Sequence, residues 1–512
     1  MKTKLFLVTA FLLAVAGCKK EENEVKDTAT GNVITYKTQQ VTLPETILSE
    51  DNVKNHLIDF LSREHDFHWE WASPHALWSA IHYGDQSVAI GYKLSGMGDI
   101  SSTIHEIQLG EERWRKVHDE LIEIILKKAS ESRGRSVRWE ELLIEDDPQL
   151  PILTIKCTDR LVIQELMNIE NVRYIEPLDF KLADEEDRSS SGCSPSTYGL
   201  NASDYTLTSP NCYVPWNFNL HNIPTAWNIS QGQGITVAVL DAGISSNQSL
   251  LNSQFNNGDS NVGRTRTVGY TLGTTGFTSC SHGTSMSGLA VGPRNNQFAA
   301  TGVAYESNLF FVRCCNDVVL DGSSERTATK NALVAMGNTA SVRVISMSIG
   351  SPFGSSVLLD GLNYAHNMGK LVMAAAGTSF SWTSWWGVVY PAAYANAVAV
   401  TGVNESSNTC SDCHDGSEVD FTIIMERNSD DNRNSISLPM SGTSLNYIGG
   451  SSAATATAAG IASLVWSVKP SLTNSQVRTI LTQTSQFFPS STSNRGFGNI
   501  NASAAVSLAQ TY

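Results

Sequence analysis

Positive charge is what this chain most lacks. Lys and Arg number 35 against 50 Asp and Glu, a net charge of −15, and charged residues make up only 17% of the sequence. Nucleic-acid binding rests on a surplus of Lys and Arg facing phosphate, so no nucleic-acid partner is expected. Once the first residues are passed, no segment has the length and apolarity of a membrane helix. No loop is rich enough in Asp to assign a calcium site, and no other metal site is expected. What remains is a chain of 512 residues, 41% of them hydrophobic, which can bury at least one large core and make two domains, and which is not disordered by composition.

The N-terminus reads as an export signal. MKTK supplies positive charge, and LFLVTAFLLAVA supplies an apolar run of about a dozen residues, too short to span a bilayer, which stops at Ala16-Gly17-Cys18. The AVAGC ending resembles the lipobox of bacterial lipoproteins, which implies a signal peptide over residues 1–17, a lipid on Cys18 and attachment to a membrane through it. KKEENE, just after it, resembles the charged signal that sends some Gram-negative lipoproteins to the cell surface, so the expected location is the outer membrane or cell surface. Residues 18–50 are polar and poor in aromatics, as a tether would be.

Structure is expected to begin at residue 51. SVAIGYKL is strand-like, RWRKVHDELIEIILKKA carries Val117, Leu121, Ile124, Ile125 and Lys128 at helical spacing, and ELLIED is a second strand. LPILTIKC and NVRYIEP add two strands around a helix, DRLVIQELMN. The order β-α-β-β-α-β over residues 51–182 predicts an α+β, ferredoxin-like domain, which by itself implies no function. A polar break, ADEEDRSSSGCSPS, then opens a linker and processing region over 183–211. Beyond it, in residues 212–512, short apolar runs such as ITVAVL, VRVISMSI, KLVMAAA and NAVAVTGV alternate with helical stretches. Such runs are parallel strands buried on both faces, so an α/β fold is expected, a mostly parallel sheet with helices on both sides.

Functional residues of such sheets sit just past the strand ends. ITVAVL runs directly into Asp241, SHGTSMSGLAVG offers His282, and GGSSAATATAAGIASLVW places Ser452 at the start of a small-residue helix whose first N–H groups are free to bind developing negative charge. An acid to orient, an imidazole to abstract the proton and a hydroxyl to attack are the parts of acyl transfer. Two further serines compete for the last role. Ser285 lies three positions from His282 on what should be one helix, so it cannot face the imidazole from across a cleft. Ser444, in SGTS, is not followed directly by an Ala-rich helix.

Residues from about 212 to 510 resemble the catalytic domain of the subtilisin-like serine peptidases, in that family's order Asp, His, Ser. AVLDAGI is similar to its aspartate motif and SHGTSMSGLAVG to its histidine motif, and GVAYESNLFFVR, VISMSIGS and YPAAYANAVAVTGV resemble its intervening segments. The resemblance implies an exported serine endopeptidase with Asp241, His282 and Ser452 as catalytic residues and Ser348, Ile349 and Gly350 pairing with an extended protein or peptide substrate by main-chain hydrogen bonds. It also makes NVRYIEPLDF similar to the last strand of the peptidase propeptides, so the ferredoxin-like domain is expected to be a propeptide partner that folds and inhibits the enzyme until it is cut between 180 and 200. That cut would part the peptidase from the lipid on Cys18 unless the propeptide stays bound.

Three departures stand out. The family's oxyanion-hole asparagine is replaced by Thr378 after LVMAAAG, Ala456 and Thr457 stand where Pro and His usually follow the nucleophile, and TIIMERNSDD replaces an Ala-Pro-Gly segment. The first touches chemistry and leaves open an alternative, a peptidase-shaped binding lipoprotein whose hydrolysis is weak or lost. Calcium is common in the family, but no cofactor is required. Nine cysteines in an exported chain suggest disulfides. Cys193 with Cys212 would staple the segment leading into the catalytic domain, and Cys280, Cys314 and Cys315 offer more than one pairing. CSDCH, residues 410–414, matches the c-type haem attachment pattern, though a small local disulfide or plain loop cysteines are the expected use of it.

Overall fold

The computed structural model describes residues 33–64, 67–181, 192–194, 196, 198–261, 263–378 and 387–512. The leader, Cys18 and most of the expected processing region lie outside the described residues.

The N-terminal domain opens with helices α1 (Glu50–Glu64) and α2 (Pro74–Tyr83). Then come β1 (Ser87–Tyr92), α3 (Glu112–Arg133), β2 (Leu143–Asp146), β3 (Ile152–Lys156), α4 (Arg160–Asn168) and β4 (Val172–Pro177). The four strands form one antiparallel sheet in the order β2-β3-β1-β4, the β-α-β-β-α-β arrangement expected from the sequence. Helix α3 buries Trp114, Val117, Leu121, Ile125 and Ala129, a stripe at helical spacing, against this sheet, and Gly134 ends it in the left-handed conformation that glycine adopts without strain. Part of the stretch expected to be a tether is packed. Ile34 and Leu43 are buried, and the N–H groups of Val41 and Leu43 donate to Asn168 and Gln164 on α4.

A hairpin of β5 (Tyr205–Thr208) and β6 (Cys212–Pro215) and two short helices, α5 (Trp216–Leu220) and α6 (Ile223–Ala226), lead into the second domain. Its sheet contains β7 (Thr236–Asp241), β8 (Arg266–Tyr270), β9 (Asn308–Arg313), β10 (Val342–Met347), β11 (Leu371–Ala375), β12 (Ala397–Asn404) and β13 (Val419–Glu426). Seven parallel strands run in the order β13-β12-β11-β10-β7-β9-β8. Alternation along β7 sets the two faces. Val237 and Val239 pack toward α7 (His282–Val291) and a long helix, whereas Ala238 and Leu240 pack toward α8 (Ser323–Asn338) and α9 (Ser356–Asn367). A short hairpin of β14 (Ser435–Ser437) and β15 (Asn446–Ile448) precedes that long helix, α10 (Gly450–Val468), and α11 (Asn474–Gln483) and α12 (Ala502–Ala509) complete the layer. Contrary to the expectation from sequence, α10 is long and apolar enough by composition to cross a membrane, but nearly all of it is buried in this core.

The two domains meet on α8 and α9. Ala89, Tyr174 and Leu178 from the N-terminal sheet share one buried cluster with Val334, Val357 and Tyr364. Around it Arg173 makes a paired contact with Asp360 at 2.7 and 2.8 Å, and the buried Lys330 ammonium bonds to Asp147 and Glu145.

Candidate active site

The sheet order reverses at β7, whose neighbours β9 and β10 lie on opposite sides, and ligands of α/β sheets bind outside the strand ends at such a point. Asp241 is the last residue of β7 and fully buried, and Ala242 donates its N–H to Oδ1 at 2.8 Å. His282 is the first residue of α7. Gly283 lets that helix start hard against the loop leaving β7, since a Cβ there would lie 2.3 Å from the Gly243 carbonyl oxygen. Ser245 also donates its N–H to the Thr284 hydroxyl at 2.9 Å. The outcome is a 2.9 Å contact between His282 Nδ1 and both carboxylate oxygens of Asp241. A carboxylate only accepts, so Nδ1 carries a proton, and in the neutral ring the lone pair is then on Nε2, the tautomer a general base requires.

Ser452 lies in the first turn of α10, where backbone N–H groups have no partner within the helix. Its hydroxyl donates to the Ser348 carbonyl at 3.3 Å, and Ser348 Oγ donates back to the Ser452 carbonyl at 2.9 Å. Among the described residues no hydrogen bond joins Ser452 Oγ to His282 Nε2. Unliganded sites are often loose at this contact. Ser285 faces away on α7, its hydroxyl 3.3 Å from the Leu438 carbonyl, and Ser444 is exposed in the loop between β14 and β15.

Thr378 follows β11 and faces the start of α10. Its hydroxyl lies 3.1 Å from Ser451 Oγ, which also accepts the Gly377 N–H at 3.1 Å. Sequence reasoning missed Ser451, whose hydroxyl joins the β11 loop to the helix; its place directly before Ser452 was the available signal. Ser348, Ile349 and Gly350 continue from the end of β10. Here Gly350 is already paired within the chain, its N–H donating to Val318 O at 2.9 Å and its carbonyl accepting from Leu320 at 2.7 Å.

The disulfides differ from the pairing expected. Cys193 bonds to Cys280, while Cys212, Cys314 and Cys315 are free and buried, as is Cys157. The cause is local: the Cys193 carbonyl accepts from both the N–H and the hydroxyl of Ser281, at 3.0 and 2.9 Å, which sets the segment beside the loop before α7. The same placement puts Gly192 against the His282 imidazole, where a Cβ would lie 3.3 Å from Cδ2. Cys410 and Cys413 join each other. No group of three or more metal-ligating side chains occurs among the described residues.

A model of the subtilase family, Peptidase S8, matches residues 232–499. Thermitase from Thermoactinomyces vulgaris is 32% identical over 197 residues, 38% of this chain and 65% of thermitase, so that match stops short of two thirds of the relative's length. Subtilisin Savinase from Lederbergia lenta is 31% identical over 294 residues, 57% of this chain and 98% of that protein. Among solved structures, a protease from Pseudoalteromonas arctica is similar with a TM-score of 0.45 and 25% identity, over 56% of this chain and 94% of that one.

Proposed function

Because this chain belongs to the subtilase family of serine peptidases, we propose that it is an exported endopeptidase, made as a precursor that cuts itself in the linker after its N-terminal domain. The observation that carries the proposal is the 2.9 Å grip of Asp241 on His282 Nδ1, which presents Nε2 as a base, together with Ser452 at the N-terminus of α10. Ser452 Oγ attacks the scissile carbonyl, His282 takes its proton and returns it to the leaving amine, and Asp241 stabilises the imidazolium. The Ser452 N–H faces the developing oxyanion, while Thr378, in place of the family's asparagine, has its shorter hydroxyl 3.1 Å from Ser451 Oγ and leaves that hole weakened. Ser348, Ile349 and Gly350 pair with the substrate main chain once Val318 and Leu320 give way.

The N-terminal domain acts as propeptide. Its docking on α8 and α9 supports this, as does the closeness of Gly192 to His282, where a Cβ would lie 3.3 Å from Cδ2. The lipid expected on Cys18 attaches the precursor to the membrane. Expression of the Ser452→Ala variant tests the proposal: it should accumulate as full-length protein while Ser285→Ala and Ser444→Ala are processed. Normal processing of Ser452→Ala in a host free of other proteases refutes self-cutting by this serine.

A further inference from the structure

Beside Ser452 opens a pocket walled by Ile349, Pro352, Ala375 and Val389, with His414 as the one ionisable side chain lining it among the described residues. It adjoins both the nucleophile and Ser348, so it receives the substrate side chain that precedes the scissile bond.

His414 is 4% exposed, and its Nδ1 lies 3.0 Å from the Gly387 carbonyl oxygen. A carbonyl can only accept, so Nδ1 carries the ring proton. Burial lowers the pKa of His414 and outweighs the opposing effects of Gly387 and Asp415, which keeps the ring neutral. Nε2 then presents a bare lone pair. That atom is buried and has no hydrogen-bond partner among the described residues. Buried polar atoms without partners are rare and call for an explanation. The ring has little freedom to find another. It packs on the Gly377 α-carbon, where a Cβ would lie 2.4 Å from Nδ1, the backbone N–H of His414 donates to the Gly377 carbonyl at 2.9 Å, and the Cys410–Cys413 disulfide fixes the loop before it.

We propose that His414 determines specificity: Nε2 accepts a hydrogen bond from an uncharged donor at the tip of the substrate side chain preceding the scissile bond, the phenol of Tyr or the amide of Gln. The choice of an uncharged donor follows from the lining. Among the described lining residues no carboxylate is present to pair a buried Lys or Arg, and a Glu carboxylate would face a lone pair rather than a proton. Phe, Leu and Met fill the apolar wall but leave Nε2 unpaired. The proposal rests on the assignment of Ser452 as nucleophile.

The test uses the processed protein and peptides identical except at the residue before the scissile bond. Tyr should exceed Phe, and Gln exceed Met, by roughly tenfold in kcat/KM, the worth of one buried hydrogen bond. O-Methyltyrosine, which keeps the oxygen but cannot donate, should fall to the level of Phe or below, and this comparison needs no variant. His414→Phe, if it folds, should bring the Tyr-to-Phe ratio close to one while Phe peptides are still cut. Equal cleavage of Tyr, O-methyltyrosine and Phe peptides, or a preference for Lys, Arg or Glu, overturns the role of His414 and leaves the peptidase assignment standing. Failure to cut any of the peptides overturns both.

Discussion

Replacing Asp360 by Ala should release the N-terminal domain from the catalytic domain. Asp360 is 1% exposed on α9 and accepts three hydrogen bonds from the other domain: two from the Arg173 guanidinium at 2.7 and 2.8 Å and one from the Tyr174 hydroxyl at 2.9 Å. Burial lowers the Arg173 pKa, yet the attraction and hydrogen bonds of Asp360 outweigh it, and the net shift is upward. Removing the carboxylate strands a cation and a phenol in a dry interface, and breaking a buried pair in this way costs about 3 to 5 kcal/mol, roughly 10² to 10³·⁵ in the docking equilibrium. The assay is hydrogen exchange on the full chain in a Ser452→Ala background, where no cut intervenes. Amides of α8, α9 and the N-terminal sheet should lose protection by that factor, while those of α10 keep theirs. Arg173→Ala combined with Asp360→Ala should be milder than the sum of the two, because the stranded charge is gone. A loss of less than tenfold at the interface refutes the claim that this pair holds the domains together.

Other predictions concern pH, the disulfide and the oxyanion. Burial raises the pKa of Glu176 from 4.5 to about 7, against the pull of the Arg326 charge, so the docked state holds a proton that the separated, solvated carboxyl gives up near 4.5. Its contribution, about 3 kcal/mol at most, is therefore fully present below 4.5 and lost as pH rises through 7; domain release by hydrogen exchange should grow across that window, and Glu176→Gln should flatten the dependence. Cys193→Ser removes a cross-link spanning 87 residues and should lower stability by about 4.6 kcal/mol in the chain-entropy estimate, with an unchanged melting temperature counting against a structural role for the bond. Thr378→Asn should raise turnover on peptides, since in subtilisin loss of the oxyanion-hole asparagine costs roughly 10² to 10³ in rate. A fall in turnover without unfolding means that the Thr378 hydroxyl already serves the oxyanion.

The parallel sheet was legible because its strands are buried on both faces and read as unbroken apolar runs, and because Asp241 follows one such run directly. Ser452 stood apart from Ser285 and Ser444 because a small-residue helix starts beneath it, a local signal that the structure places at the first turn of α10. Contacts between residues distant in sequence were not legible. The Cys193–Cys280 bond depends on Ser281 capturing the Cys193 carbonyl, which no spacing rule announces. The packing of residues 33–49 joins buried Ile34 and Leu43 to the side-chain carbonyls of Asn168 and Gln164, which accept the N–H groups of Val41 and Leu43 from more than a hundred residues away. His414 was visible only as part of a cysteine motif, since its pocket is assembled from β10, β11 and two loops.

Labelling with a fluorophosphonate, followed by mass-spectrometric mapping of the modified peptide, tests the catalytic assignment most directly, because the reagent needs an activated serine but no known substrate. The adduct should fall on Ser452 alone, at the start of α10, and should be lost when His282 is replaced by Ala. An adduct on Ser285 or Ser444, or undiminished labelling of Ser452 without His282, would contradict the assignment.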